Sequence, residues 1–174
     1  MNARKIFLRF SEPIRSSSLD PGEISIQTVA DVLNAANGAA DAAVALTTSS
    51  TSSSNGLGLT VDISDNDFNN LKLAALTTLS RDTTFLIHTV DAFTDMIVPP
   101  NAAKAIIDGV ALKAEKFAAD KDSPTLNSFT IDMDSGELLL TFSEPADAST
   151  VDVTKIQVGI VWVMVAAACV IFCV

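Results

Sequence analysis

Tyrosine is absent from this chain, and histidine and tryptophan occur once each. Acid–base and metal chemistry usually draws on imidazoles and thiolates brought together, and neither is in good supply here. His88 stands in "TFLIHTV" with no second histidine or nearby cysteine, so a strand-edge residue is expected. The two cysteines, Cys169 and Cys173, both lie in an apolar C-terminal stretch. Nothing upstream can form a disulfide or thiolate site, so that part holds together without covalent staples. Lysine and arginine number 11 against 21 aspartates and glutamates, a net charge of −10. Phosphate binding needs clustered basic side chains, so no nucleic-acid partner is expected. Ser11 and Ser143 sit in "FSEP" and not in G-x-S-x-G; there is no phosphate-cradling glycine loop and no N-x-[ST] sequon. No enzyme activity and no resident cofactor are expected. The opening "MNARKIFLRF" shows no signal peptide, and a start inside a longer gene is the expectation.

What the chain does have is the same phrase twice. "IFLRFSEPIRSSSLDPGEISI" runs from Ile6 to Ile26, and "LLLTFSEPADASTVDVTKIQV" from Leu138 to Val158. At an offset of 132 residues (142 − 10), Phe10-Ser11-Glu12-Pro13 falls on Phe142-Ser143-Glu144-Pro145. Leu8 then falls on Leu140, Ser17 on Ser149, Asp20 on Asp152 and Ile24 on Ile156, without a gap. A gapless match that also preserves apolar alternation marks a tandem repeat of about that length. Within it, Leu138, Leu140 and Phe142 alternate as a half-buried strand requires. Pro145 stops the strand, and the Ser/Thr/Asp-rich stretch satisfies its own backbone as a turn or 3₁₀ piece. A second strand is expected at Glu23 to Thr28 and, in the second repeat, at Lys155 to Val158. Upstream of the second repeat, "LNSFTIDMDSGELLLTF" reads as a β-hairpin turning at Asp134-Ser135-Gly136. The same offset puts Met1 on Met133, so the first repeat begins after its own first strand.

Between the repeats, "ADVLNAANGAADAAVAL" is open between a loop with a helical turn and a strand ending at Ala43 to Thr48. "TTSSTSSSNG" is an expected exposed tip. Leu57 to Ser64 is a strand with Leu57, Leu59, Val61 and Ile63 on one face. Ser64 to Asp67 resembles a capping box with aspartate for glutamate, opening a short helix with Phe68, Leu71 and Ala75 at helical spacing. Further strands are expected at Thr83 to Val90 and Val110 to Phe117.

"LTFSEP", the polar turn after it, "TTFLIHTVDAFTDM" and "ADKDSPTLNSFTIDMDSGELLLTFSEP" together resemble the Ig-like tandem repeats of large microbial surface proteins, as in bacterial S-layer and adhesin-type modules. The resemblance covers Lys5 to Val158. One departure is that Asp95 is followed by "MIVPPNAAK", where the family usually has a tight glycine turn. The resemblance implies an all-β, Ig-like sandwich with structural or adhesive duties at the cell surface, neighbouring repeat modules as partners, and a surface glycan or protein as an alternative partner through loop tips such as Thr47 to Asn55. The expected division is residues 1–119, a sandwich lacking its first strand; 120–125, a linker; 126–157, the truncated start of a second module; and 158–174, an apolar tail.

That tail, "VGIVWVMVAAACVIFCV", carries no charge and has the minimum length to cross a bilayer as a helix, with Trp162 suited to the interface. A transmembrane-helix anchor, with the membrane as partner, is the leading expectation. The rivals are a lipid-anchor signal with small residues at Asp147-Ala148-Ser149, a non-native end, and a buried core strand. One metal reading remains. Calcium takes several oxygen ligands, and Glu12, Asp91, Asp95, Asp120, Asp122, Glu144 and Asp147 fall in loops expected at module ends, where two modules could share an ion. The alternative for these residues is a solvated acidic surface.

Overall fold

The computed structural model describes residues 4–34, 43–74, 80–165 and 168–173. It is mostly β. Strand β1 (Lys5–Ile14) turns Ile6, Leu8 and Phe10 onto the core while Phe7 and Arg9 face outward, the side-to-side alternation its sequence encodes. After Pro13 come two 3₁₀ turns, Ser16–Ser18 and Pro21–Glu23, and then β2 (Ile24–Gln27). A short β3 (Ala43–Ala45) precedes β4 (Gly56–Asp62) and helix α1 (Asp65–Leu73). β5 (Phe85–His88) and the two-residue β6 (Leu112–Lys113) follow.

These strands form two sheets. β1 pairs antiparallel with β4, Leu8 opposite Leu59 and Lys5 opposite Asp62. The other sheet runs β3-β2-β5-β6, every pair antiparallel. Both contribute to one core: Leu59 and Val61 from β4, Ile24 and Ile26 from β2, Leu86 from β5, with Leu46, Leu71 and Phe93 between. Burying each such side chain is worth about 1.5–3 kcal/mol. Phe93 is fully buried and stands edge-on to Phe10, ring centroids 5.1 Å apart. His88 is not at a sheet edge: it is buried on β5, an inner strand, with Nδ1 donating to the Thr89 carbonyl at 2.8 Å and its ring edge-on to Phe93.

The Ser64 hydroxyl accepts from the Asp67 N–H at 3.1 Å, so the helix starts where the cap residue predicts. Asp67 does not complete the box, however. Its buried carboxylate turns to the chain before β4 and accepts from the amides of Thr47, Thr48 and Ser49 and the hydroxyls of Thr47 and Ser49, at 2.6–3.0 Å. The tip at Thr47 to Asn55 is largely exposed, as expected, but it is anchored at Ser49, which is buried. Ser50 bridges to Asp62, and Asn55 accepts from the amide and hydroxyl of Ser16.

The second repeat begins with the expected hairpin, β7 (Leu126–Asp132) and β8 (Glu137–Phe142), turning through Gly136 at φ +72°. Its apolar face, which carries Phe129, Ile131 and Leu138, is uncovered, with exposures of 37, 45 and 37%. The strand expected at Lys155 to Val158 does not form; a 3₁₀ turn at Val153–Lys155 is followed by unpaired chain. In the first repeat the corresponding β2 lies between β3 and β5, and the second repeat has no strand in either place among the described residues. The strand expected over Val110 to Phe117 is likewise reduced to Leu112–Lys113.

The tail corrects a second expectation. It is an antiparallel hairpin, β9 (Ile160–Val165) with β10 (Ala168–Cys173), Val165 opposite Ala168. Valine and isoleucine dominate it, and β-branched side chains favour an extended backbone over a helix. Among the described residues, no helix is long and apolar enough to cross a membrane. Ala75, proposed for the helix face, and residues 35–42, from the Ala-rich stretch, lie outside the described residues.

Candidate functional site at the junction of the two repeats

The two occurrences of "FSEP" share a core-side phenylalanine, whereas the serine and glutamate contacts belong to the second. The phenylalanine faces the core side of its strand: Phe10 meets Phe93, and Phe142 lies opposite Leu126 of β7. The serine holds the strand before it. Ser143 donates its amide to the Thr125 carbonyl at 2.8 Å, and its Oγ accepts from the Thr125 amide at 3.0 Å. The glutamate receives a cation: Glu144 pairs with Lys72 of α1, and the same ammonium pairs with Asp120. Lys72 Nζ also lies 4.5 Å from the centroid of the Phe68 ring, and Arg4, paired with Asp65, lies 4.6 Å from that centroid. The proline is not where either strand stops, contrary to expectation: β1 continues through Pro13 to Ile14, and β8 already ends at Phe142.

Lys72 therefore ties α1 of the first repeat to both the 120–125 segment and the second repeat. The three side chains are partly shielded, at 20% exposure for Lys72, 25% for Asp120 and 9% for Glu144, which strengthens the attraction somewhat over that of a pair in open water. The hydrogen bond from Lys72 holds the Asp120 carboxyl below the ordinary carboxylate range, against the opposing effect of burial.

The polar turns after "FSEP" match in detail. Ser16–Ser18 and Ala148–Thr150 are both 3₁₀ turns at the 132-residue offset, as are Pro21–Glu23 and Val153–Lys155. The residue before the first turn has φ −76°, ψ 108° in both repeats, at Arg15 and Asp147. The residue before the second has φ −109°, ψ 105° at Asp20 and φ −97°, ψ 99° at Asp152, and each accepts an amide two residues on. Ser18 Oγ and Thr150 Oγ1 each donate to the carbonyl three residues back at 2.7 Å.

Of the seven acidic residues proposed for calcium, the structure brings Asp120 and Glu144 together, with a lysine ammonium between them. Asp122 adjoins this pair through its amide, which donates to Asp120 at 3.0 Å. Asp147 caps its 3₁₀ turn through the Ser149 amide and hydroxyl. Asp91 sits in the turn Val90–Ala92, which Thr89 caps. Asp95 accepts from the amides of Ile97 and Asn101 and from Asn101 Nδ2, at 2.8–3.1 Å; the Asn101 amide first, then its side chain, keep its carboxyl below the usual range although burial opposes them. This carboxylate organises the loop from Asp95 to Asn101. Glu12 is exposed and has no ion-pair partner among the described residues. The described residues contain no group of three or more His, Cys, Asp or Glu that could hold a metal ion.

Sequence reasoning placed Asp67 in the helix cap without its bonds to Thr47–Ser49, and it missed Lys72 and Asp108. The last accepts from the Val32 and Leu33 amides and from Gln27 Nε2 at 2.8–3.0 Å, closing the loop after β2. The available signal for Lys72 was its place in the last turn of a helix rich in aspartate at its start; nothing local named its partners. No family model matches the chain, and neither curated proteins nor solved structures give a match.

Proposed function

We propose that this chain is a non-enzymatic structural segment of a cell-surface protein, an Ig-like β-sandwich module joined to the beginning of a second. The observation that carries this is the reproduction of one pair of 3₁₀ turns, with closely matching dihedrals and an aspartate cap on the second turn of each, at a fixed offset of 132 residues. Duplicated architecture with a lysine-bridged junction suits spacing and alignment of repeats, since neighbour contacts are what such arrays depend on. The two sheets around a common core support the sandwich, and the order of motifs supports the kinship with microbial surface repeats. Adhesion is the wider duty that the kinship suggests. Surface placement rests on the net charge of −10 and on an uncharged tail able to bury itself against another apolar phase.

The test is labelling of intact cells with a membrane-impermeant amine reagent. Exposed lysines such as Lys5, Lys104, Lys113 and Lys116 should label before lysis. Labelling only after lysis would reject the surface assignment.

A further inference from the structure

Among the described residues β1 pairs with one strand, β4, and beyond a bridge from Ile14 to Asp95 its other edge is uncovered. In the second repeat the corresponding strand, β8, has its partner on the other side: β7. We propose that the open edge of β1 is a binding site for strand β7 of a second molecule of this chain, so that two molecules exchange β7 strands reciprocally. The inference rests on the repeat reading above and adds a partner, a register and a surface to it.

The register follows from the 132-residue offset. In the hairpin, Leu126 stands opposite Phe142, Phe129 opposite Leu140, Ile131 opposite Leu138 and Asp132 opposite Glu137. Carried to the first repeat, those strand positions are Phe10, Leu8, Ile6 and Lys5. The arriving apolar side chains thus meet β1 on its core-facing side, where Ile6, Leu8 and Phe10 already pack. Ser11 takes the place of Ser143, the residue that holds Thr125 with both its amide and its hydroxyl, and Ser11 is exposed. Asp132, across from the like charge of Glu137 and bound to the turn amides of Asp134 and Ser135, comes to face Lys5 instead.

Donor and acceptor differ in how well they are supported. The β7–β8 pair is a two-stranded ribbon with every β7 residue exposed, and such ribbons are marginal in water. β1 belongs to a sheet backed by a formed core, and an added antiparallel strand would gain main-chain hydrogen bonds and bury Phe129 and Ile131. Reciprocal exchange joins the two molecules by one two-fold symmetric contact, moving the uncovered edge from core-backed β1 to the exposed β8.

Sedimentation of the full chain over a concentration series tests this, with a synthetic peptide of residues 123–133 as competitor and a scrambled peptide as control. A dimer is expected, and the matching peptide should dissociate it while protecting β1 amides from hydrogen exchange. Phe129→Asp, at a position exposed in the monomer, should raise the dimer dissociation constant about tenfold or more with the first repeat's melting unchanged. Three results would overturn the proposal: a monomer at every concentration; a dimer indifferent to peptide and to Phe129→Asp, as association through the tail would be; or a monomer with β1 already protected, which would place the chain's own β7 there. None of these would alter the matching turns at Ser16–Glu23 and Ala148–Lys155, so the repeat reading stands or falls separately.

Discussion

At the scale of single residues, aspartate is the organising side chain. Asp67 collects three amides and two hydroxyls from Thr47 to Ser49 and thereby fastens α1 to the chain entering β4. Burial opposes its ionised form, but the hydroxyls of Thr47 and Ser49 and the neighbouring amides override that and hold its carboxyl far below the ordinary range. Replacing it by alanine strands several buried donors at once and should cost about 3 kcal/mol or more, measured by urea unfolding. A carboxyl lowered in the folded state contributes stability that is complete above its unfolded pKa and is lost as pH falls through the folded one. The native chain should therefore lose stability steadily below about pH 4, and Asp67→Asn should flatten that slope. A pH profile of urea midpoints that is equally steep in both proteins would contradict the assignment. The sequence exposed only half of this residue's part. Its local partner, Ser64, lies three places away and was readable as a cap, whereas Thr47 to Ser49 become neighbours only after β4 folds back.

At the scale of elements, the strands that were legible are those whose alternation is confirmed by a partner. β1, β4, β5, β7 and β8 lie where alternation put them, because Leu8, Leu59, Leu86 and their neighbours mark a core-facing side. Expectations failed where pattern and pairing part company. Lys155 to Val158 copies β2 in sequence yet stays unpaired, since a strand is a relation between chains and not a property of one. The uncharged tail was ambiguous for the same reason; its length suggested a span while its valines and isoleucines favoured extension. The junction was invisible because Lys72, Asp120 and Glu144 share no local spacing. Lys72→Met should release the second repeat from α1 while leaving the first repeat's core intact. Limited proteolysis within residues 120–125 should accelerate several-fold, with the melting of the first repeat changed by less than about 1 kcal/mol. Unchanged cleavage would mean that Lys72 is not what holds the junction.

At the scale of the whole molecule, strands around one core are followed by a hairpin and two polar turns that restate the sequence and turn geometry of the opening. Among the described residues, the first repeat has a core and a β1 edge that no strand covers; the second has a hairpin, the two polar turns and an uncovered apolar face. These deficits are complementary in kind, which is why exchange of β7 between molecules is the association that they favour. A shared turn geometry that persists where one repeat is packed and the other is exposed shows that the turns are locally encoded, by Asp20 and Asp152 and by the Ser18 and Thr150 hydroxyls. The most direct measurement is a set of backbone dihedrals for Ser16–Glu23 and Ala148–Lys155, from NMR chemical shifts and residual couplings of the full chain. Paired 3₁₀ turns in both segments, agreeing residue by residue within about 20°, are the expected result. An averaged, unstructured signal or a continuous helix in the later segment would end the claim that one architecture is written here twice.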